Sequence, residues 1–239
     1  MKDYNNDLAK NFDEHLLSTK DKLINFPRFV NRRDVATFLN RYEIFKKVIG
    51  IHGSVIECGV NLGGGLFSWL HYSSILEPYN SSRYIIGFDT FDGFKSINNH
   101  DDNGIYVDEE RWVEFTSKQS HSDVLRDIKI QNQNRPLNHL SKLSVVKGDA
   151  TETIPKFLDE NPHLLVSLLH IDFDIHAPTK VAIENFLPRM PKGSIIAFDD
   201  LNAHEGPGET IAFIESMDIK KYRLCRNVFD SYLCYLIIE

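Results

Sequence analysis

From residue 50 onward, short apolar runs alternate with amphipathic stretches. Strands are predicted near residues 54–58, 83–89, 143–147, 165–172 and 194–199, and helices near 63–76, 120–130, 152–160, 177–189 and 208–217. Parallel neighbours can be joined only by a crossover, so this alternation predicts a parallel sheet with helices on both faces. Two last β-rich runs, 222–225 and 231–238, flank a polar turn and predict an antiparallel edge. The expected fold is α/β, a doubly wound, mostly parallel seven-stranded sheet with an antiparallel edge strand. Ahead of it lie predicted helices. Residues 4–25 read as one, and a second follows Asp34 as N-cap, with Val35, Phe38, Leu39, Tyr42, Phe45, Val48 and Ile49 at helical spacing. The chain therefore divides into an N-terminal helical extension, 1–50, and a ligand-binding domain, 51–239. A long polar segment, 96–119, carries Tyr106 and Trp112 and reads either as a lid over a ligand or as a solvated loop.

The first predicted strand runs Val55-Ile56-Glu57-Cys58-Gly59-Val60-Asn61-Leu62-Gly63-Gly64-Gly65 directly into a helix opening. Glycines at such a turn let the backbone approach a ligand closely. The spacing, Gly-x-x-x-Gly-Gly, departs from the Gly-x-Gly-x-x-Gly of dinucleotide sites. Glu57 also precedes the turn, where it would repel a pyrophosphate and attract an ammonium or sulfonium group. That combination points to S-adenosylmethionine, with Glu57, Gly59, Asn61 and Gly63 as candidate contacts. Glu57 has a second reading, as a residue that orients the glycine loop. A plain strand-to-helix turn is the competing reading of the whole segment.

Composition narrows the ligand. A formal net charge of −7 without a long Lys/Arg block argues against nucleic acid or an anionic membrane as partner, leaving a small molecule. No apolar run reaches the ~20 residues that span a bilayer, and the first residues lack the apolar core of a signal peptide. Cys58, Cys225 and Cys234 are scattered and odd in number, which fits reduced thiols in a cytoplasmic protein and argues against a zinc site.

The remaining signals sit at predicted strand tips, where open α/β sheets bind ligands. The second strand ends Phe88-Asp89-Thr90-Phe91-Asp92-Gly93-Phe94. Asp89, with Thr90 beside it, is placed to accept the hydroxyls of a ribose. Asp149 follows the third strand and either meets an adenine amino group or caps the next helix. The fourth strand ends His170-Ile171-Asp172-Phe173-Asp174, and the fifth ends Phe198-Asp199-Asp200. Four carboxylates at neighbouring tips would repel one another unless a cation neutralises them, and no run of Lys or Arg is near. A hard divalent ion with oxygen ligands answers that need; Mg²⁺ leaves positions open for substrate oxygens. His176, two residues past Asp174, reads either as a base or as a scaffold residue; His170, within its strand, reads as structural. Glu209 reads as a residue favouring a helix N-terminus.

Glu57-Cys58-Gly59-Val60 with Gly63-Gly64, the Asp89-Thr90-Phe91-Asp92-Gly93 run, Asp172-Phe173-Asp174 and Asp199-Asp200 together resemble the macrocin O-methyltransferase family over residues 35–215. The resemblance implies a class I methyltransferase of Rossmann-like fold, dependent on S-adenosylmethionine and Mg²⁺ or another divalent cation, that methylates sugar hydroxyls. It implies that Asp172, Asp199 and Asp200 hold the metal, that Asp172 also acts as base or orients the hydroxyl, and that Asp89 holds the ribose. The family's fourth-strand tip usually reads Asp-Gly-Asp followed closely by Tyr, whereas here Phe173 and His176 stand in that region, so a macrolide acceptor is not implied.

The leading expectation is therefore O-methylation of a sugar or related polyol, with Asp172 or His176 taking the proton. Two rivals use the same residues. Asp172-Phe173-Asp174 has the Asp-x-Asp form of metal-dependent glycosyltransferases, and a non-catalytic methyltransferase-like fold could serve as a binding subunit. The N-terminal helices either cover the pocket or form a homodimer.

Overall fold

The computed structural model describes residues 4–101, 121–204, 206–229 and 233–239. Strands β1 (Ser54–Cys58), β2 (Ile85–Asp89), β3 (Leu143–Lys147), β4 (Val166–Ile171), β5 (Ile195–Phe198), β6 (Cys225–Arg226) and β7 (Cys234–Ile237) form one sheet in the order β3-β2-β1-β4-β5-β7-β6. The first five are parallel; β7 pairs antiparallel with β5 and carries β6 antiparallel at the edge. The order reverses at β1, with β2 on one side and β4 on the other. That is the switch point where doubly wound sheets open a crevice at their carboxyl ends.

The helices are α1 (Tyr4–Glu14), α2 (Thr19–Ile24), α3 (Arg32–Val48), α4 (Gly64–Leu76), α5 (His121–Asn132), α6 (Ala150–Glu160), α7 (His176–Phe186) and α8 (Gly208–Ser216). They cover both faces, so the central strands are buried on each side and read as continuous apolar runs. Successive side chains still part to opposite faces. Val55, Ile85, Leu168 and Ile195 join Leu66, Trp69 and Tyr72 of α4 in one core, while Ile56, Ile86, Leu169 and Ile196 join Ile154, Ile183, Phe186 and Phe213 in the other.

The N-terminal region differs from expectation in two places. Residues 4–25 are not one helix: Ser18 Oγ accepts from Asp21 N and starts α2 afresh. The next helix begins at Arg32 rather than after Asp34, because Asn31 Oδ1 accepts from the amides of Arg33 and Asp34. Its buried residues are Asn40, Ile44, Phe45 and Val48, the last three packing into the same core as β1 and α4, whereas Phe38 and Leu39 stay partly exposed. Buried Arg83 ties this helix to the sheet. Its guanidinium donates to the carbonyls of Val48, Ile49, Ile51 and Gly53 and to Ser167 Oγ, and pairs with Glu77 Oε1 at 2.6 Å. The three cysteines are free thiols. Among the described residues no helix is long and apolar enough to cross a membrane.

Candidate active site

A cavity of about 350 Å³ opens at the carboxyl ends of β1 to β5. One wall is the β1–α4 loop with Gly59 and Asn61; Asp89, Thr90 and Asp149 stand beside it, and Asp172, Asp174, Asp199 and Asp200 face them. The carboxyl tips of the fourth and fifth strands are thus brought against the glycine turn, as their order in the sheet requires.

The turn is shaped by the neighbours it meets. Gly59 has φ +95°, and a Cβ there would fall on the carbonyl oxygen of Asp172. Strand β1 can therefore pass close to the β4 tip only without a side chain at this position. Asp89 fixes the far side of the loop: its Oδ2 accepts from the amides of Val60 and Asn61, both at 2.8 Å, and its Oδ1 from Phe91 N at 2.6 Å. A carboxylate has about four lone-pair sites, so three bonds to amides still leave room for a hydroxyl donor. Gly63, at φ +87°, ends the loop as N-cap of α4, and its ring neighbour is Phe67. It is not among the residues that line the cavity.

Glu57 is not among the residues that line the cavity, and its surroundings match its second reading, support of the glycine loop. It is 1% exposed, receives the indole N–H of Trp69, and lies 3.3 Å from His170 Nδ1. Burial pushes its carboxyl up, but the charge and hydrogen bond of His170, with Arg41 and Trp69, outweigh this and hold it below the ordinary value. A Cβ on Gly65 would strike the same carboxylate. Glu57 is thus the strut beneath the loop, and His170 is its buried partner.

Asp149 serves as both wall and cap. Its Oδ1 accepts from Thr151 N at 2.9 Å at the start of α6, while Oδ2 accepts from Ser96 Oγ at 2.6 Å. Burial works to raise its pKa, and these bonds overcome that and lower it.

The β4 and β5 tips carry the electrostatic load. Burial, then the charges of Asp199, Asp174 and Glu209, push the carboxyl of Asp172 far up. Burial, then a hydrogen bond and charge from Asp200, raise Asp174 to about 8. Arg41, on α3, is a cation that the sequence reading did not place near this cluster; its field lowers both Asp172 and Glu57. It is too little to balance the acidic groups. All-oxygen donors under mutual repulsion suit a hard divalent cation. Their oxygens line a wall but are not gathered around one point: among the described residues, the side chains whose ligand atoms come within 4.8 Å of one another are His100, His176 and Glu215.

Glu209 is the residue that sequence reading undervalued. It is fully buried, and its Oε1 accepts from the amides of Phe173 (3.0 Å) and Asp174 (3.3 Å), its Oε2 from Asp200 N (3.3 Å). One side chain of α8 thereby braces both acidic tips. Its sequence signal was only an acidic residue in a first helical turn, which reads as dipole compensation. His176, a candidate base, does not line the cavity. As the first residue of α7 its ring turns away, to Glu215 Oε2 at 3.1 Å and Asn98 Nδ2 at 3.3 Å, with His100 stacked on it at 4.4 Å. Tyr106, Trp112 and most of the segment read as a lid lie outside the described residues.

Comparison with known proteins places this geometry. No curated protein matches the sequence. Among solved structures the chain is similar to CalS11, a calicheamicin methyltransferase, with TM-score 0.91 and 29% identity over 98% of this chain and 90% of that one. A second, apo structure, described as CalS11, TDP-rhamnose 3'-O-methyltransferase, gives TM-score 0.82 and 26% identity over 98% and 92%. The O-methyltransferase NovP shares the fold at TM-score 0.61 and 19% identity, over 85% and 80%. The family model described as a methyltransferase domain matches residues 56–201, which run from within β1 through the glycine turn to both acidic tips. The chain belongs to this methyltransferase-domain family and is a class I enzyme that methylates with S-adenosylmethionine.

Proposed function

We infer that this enzyme methylates a hydroxyl of a sugar or related small polyol, and that it does so with a divalent cation held at the tips of β4 and β5. The observation that carries the reading is the single cavity that joins the Asp89-pinned glycine loop to the Asp172, Asp199 and Asp200 carboxylates. Likeness to CalS11, whose name gives a TDP-rhamnose 3'-hydroxyl as its site, supports a deoxysugar, and a nucleotide-linked one is the first acceptor to try. The methyltransferase family leaves no support for the glycosyltransferase reading of Asp172-Phe173-Asp174.

S-adenosylmethionine, when bound, supplies the methyl group on a sulfonium leaving group. Asp89 and Thr90 would hold its ribose, Asn61 and Gly59 its backbone-facing side, and Asp149 its adenine edge. A divalent cation on Asp172, Asp199 and Asp200 would orient two neighbouring hydroxyls and acidify the one that reacts. Asp172 would take the proton of the reacting hydroxyl at its carboxylate, freeing the oxygen for the methyl group that the cofactor supplies. It suits this role because it lines the cavity and burial raises its proton affinity, whereas His176 faces Asn98 and Glu215. Bracing of the tips by Glu209 keeps base and acceptor in line, and positioning of that kind supplies much of the rate.

The test is calorimetric titration of EDTA-treated protein with S-adenosylmethionine, with and without Mg²⁺, followed by turnover on dTDP-rhamnose. Asp89→Ala should abolish cofactor binding, and Asp172→Asn should keep it while removing turnover. Full activity in EDTA would remove the metal from this reading, and turnover on other alcohols but no sugar would remove the acceptor class.

A further inference from the structure

We propose a second cation site, outside the cavity, in which His100, His176 and Glu215 bind a borderline transition-metal ion such as Zn²⁺, Co²⁺ or Ni²⁺. These three side chains come from different elements: the segment after β2, the first turn of α7, and the last turn of α8. Their ligand atoms nevertheless lie within 4.8 Å of one another. Two imidazoles and a carboxylate form a donor set that favours such ions over Mg²⁺, in contrast to the all-oxygen wall of the cavity.

The geometry is close to what an ion needs. Ligands about 2.1 Å from a tetrahedral metal stand about 3.4 Å apart, and His176 Nε2 and Glu215 Oε2 are already 3.1 Å apart. His100 alone has to close in. It is exposed, and its ring stacks on that of His176 at 4.4 Å, so a side-chain rotation suffices. His176 is fixed from every side: its amide donates to buried Asp101 Oδ1 at 2.6 Å, and its Nδ1 meets Asn98 Nδ2 at 3.3 Å. Ligation through Nε2 places the ring proton on Nδ1, so the Asn98 amide has to turn its oxygen to that proton and give up the bond its Oδ1 accepts from His100 N at 2.8 Å, a further cost to the ion's affinity. Lys180 opposes the ion, since its Nζ donates to Glu215 Oε2 at 2.7 Å. A carboxylate has about four lone-pair sites, so Glu215 can hold both, at reduced affinity for the ion. A bound ion would clamp the segment Ser96–Asp101, one end of which meets Asp149 at the cavity wall, onto α7 and α8.

The test titrates metal-free protein with Co²⁺ in excess Mg²⁺ and follows the visible absorption of low-coordinate cobalt, then displaces it with Zn²⁺. Wild type should bind one Co²⁺. His100→Ala and Glu215→Gln should each weaken it by about tenfold or more, and Asp199→Asn should leave it within about twofold. Lys180→Ala should tighten it. Absence of the cobalt band, equal affinity in His100→Ala and wild type, or loss in Asp199→Asn overturns the proposal; the last result would place the cobalt among the cavity carboxylates. Circular dichroism of each variant shows that its fold is retained, and wild-type failure needs no variant at all.

Discussion

Glu209 shows how a single side chain can set the geometry of two loops it does not belong to. Its carboxylate accepts from three amides on the β4 and β5 tips, and a buried amide left unpaired costs about 1–3 kcal/mol. Glu209→Ala should therefore loosen the tips that carry Asp172, Asp199 and Asp200 while leaving the Asp89 side of the cavity intact. We expect the Mg²⁺ needed for half-maximal turnover to rise by about tenfold or more, with S-adenosylmethionine affinity nearly unchanged; an equal loss of both affinities would show a general collapse of the site instead. The same crowding makes a pH prediction. Burial and Asp200 lift Asp174 to about 8, whereas an unfolded aspartate titrates near about 3.9. Between those values the folded chain binds more protons than the unfolded one, so stability falls as pH rises through the folded pKa. Metal-free protein should melt at a higher temperature near about pH 5.5 than near about pH 8.5, and Mg²⁺ should restore most of the loss at the higher pH. A flat or rising profile would mean that the tip carboxylates are not in conflict.

At the level of elements, the five parallel strands were legible because β1, β4 and β5 are short apolar runs buried on both faces, β2 is buried but for Asp89, and even the edge strand β3 keeps a β-branched centre; the predicted spans match the observed ones to within two residues at either end. Helix starts were harder. Asn31 and Asp34 both have capping side chains, and only the amides of Arg33 and Asp34 reveal that Asn31 is the one used. Ser18 is followed three residues later by Asp21, a start signal that breaks 4–25 in two, but the surrounding polar residues gave no periodicity to set it against. The site divides similarly. Aspartates at strand tips were readable, since the ends of successive parallel strands must lie together. For Glu57 the sequence left two readings, cofactor contact and support of the glycine loop; its partners, Trp69 and His170, favour the second, but they come from α4 and β4, and no local pattern announces such a contact. The glycine turn was readable as a turn, yet the reason for Gly59 is the Asp172 carbonyl on another strand. Gly59→Ala should accordingly destabilise the fold by more than about 1 kcal/mol, through both the positive φ and the contact, and weaken cofactor binding with it. Denaturant unfolding and calorimetry check this together; a stable variant with normal affinity would show that β1 and β4 can separate without consequence.

Across the whole molecule, the end of α3 is tied to the sheet by a buried cation. Arg83 is 2% exposed and reaches the end of α3, the chain entering β1, and Ser167 on β4, while Glu77 neutralises it from just beyond α4. Beside it, Ile44, Phe45 and Val48 of α3 fill the same core as Val55 and Trp69. The helix that precedes the first strand is thus packed as part of the sheet's own core, although the cavity chemistry lies at the opposite, carboxyl ends of the strands. Removing the guanidinium separates these two roles. Arg83→Met keeps most of the apolar stem but leaves Glu77, nearly buried at 8% side-chain exposure, without its partner and five acceptors without their donor. Breaking a buried pair by removing one member costs about 3–5 kcal/mol, so the urea midpoint should drop sharply. Below that midpoint the folded fraction should still bind S-adenosylmethionine with near-normal affinity, because none of these groups lines the cavity. A variant whose cofactor affinity falls before its stability does would show that the junction of α3 and the sheet also governs the site.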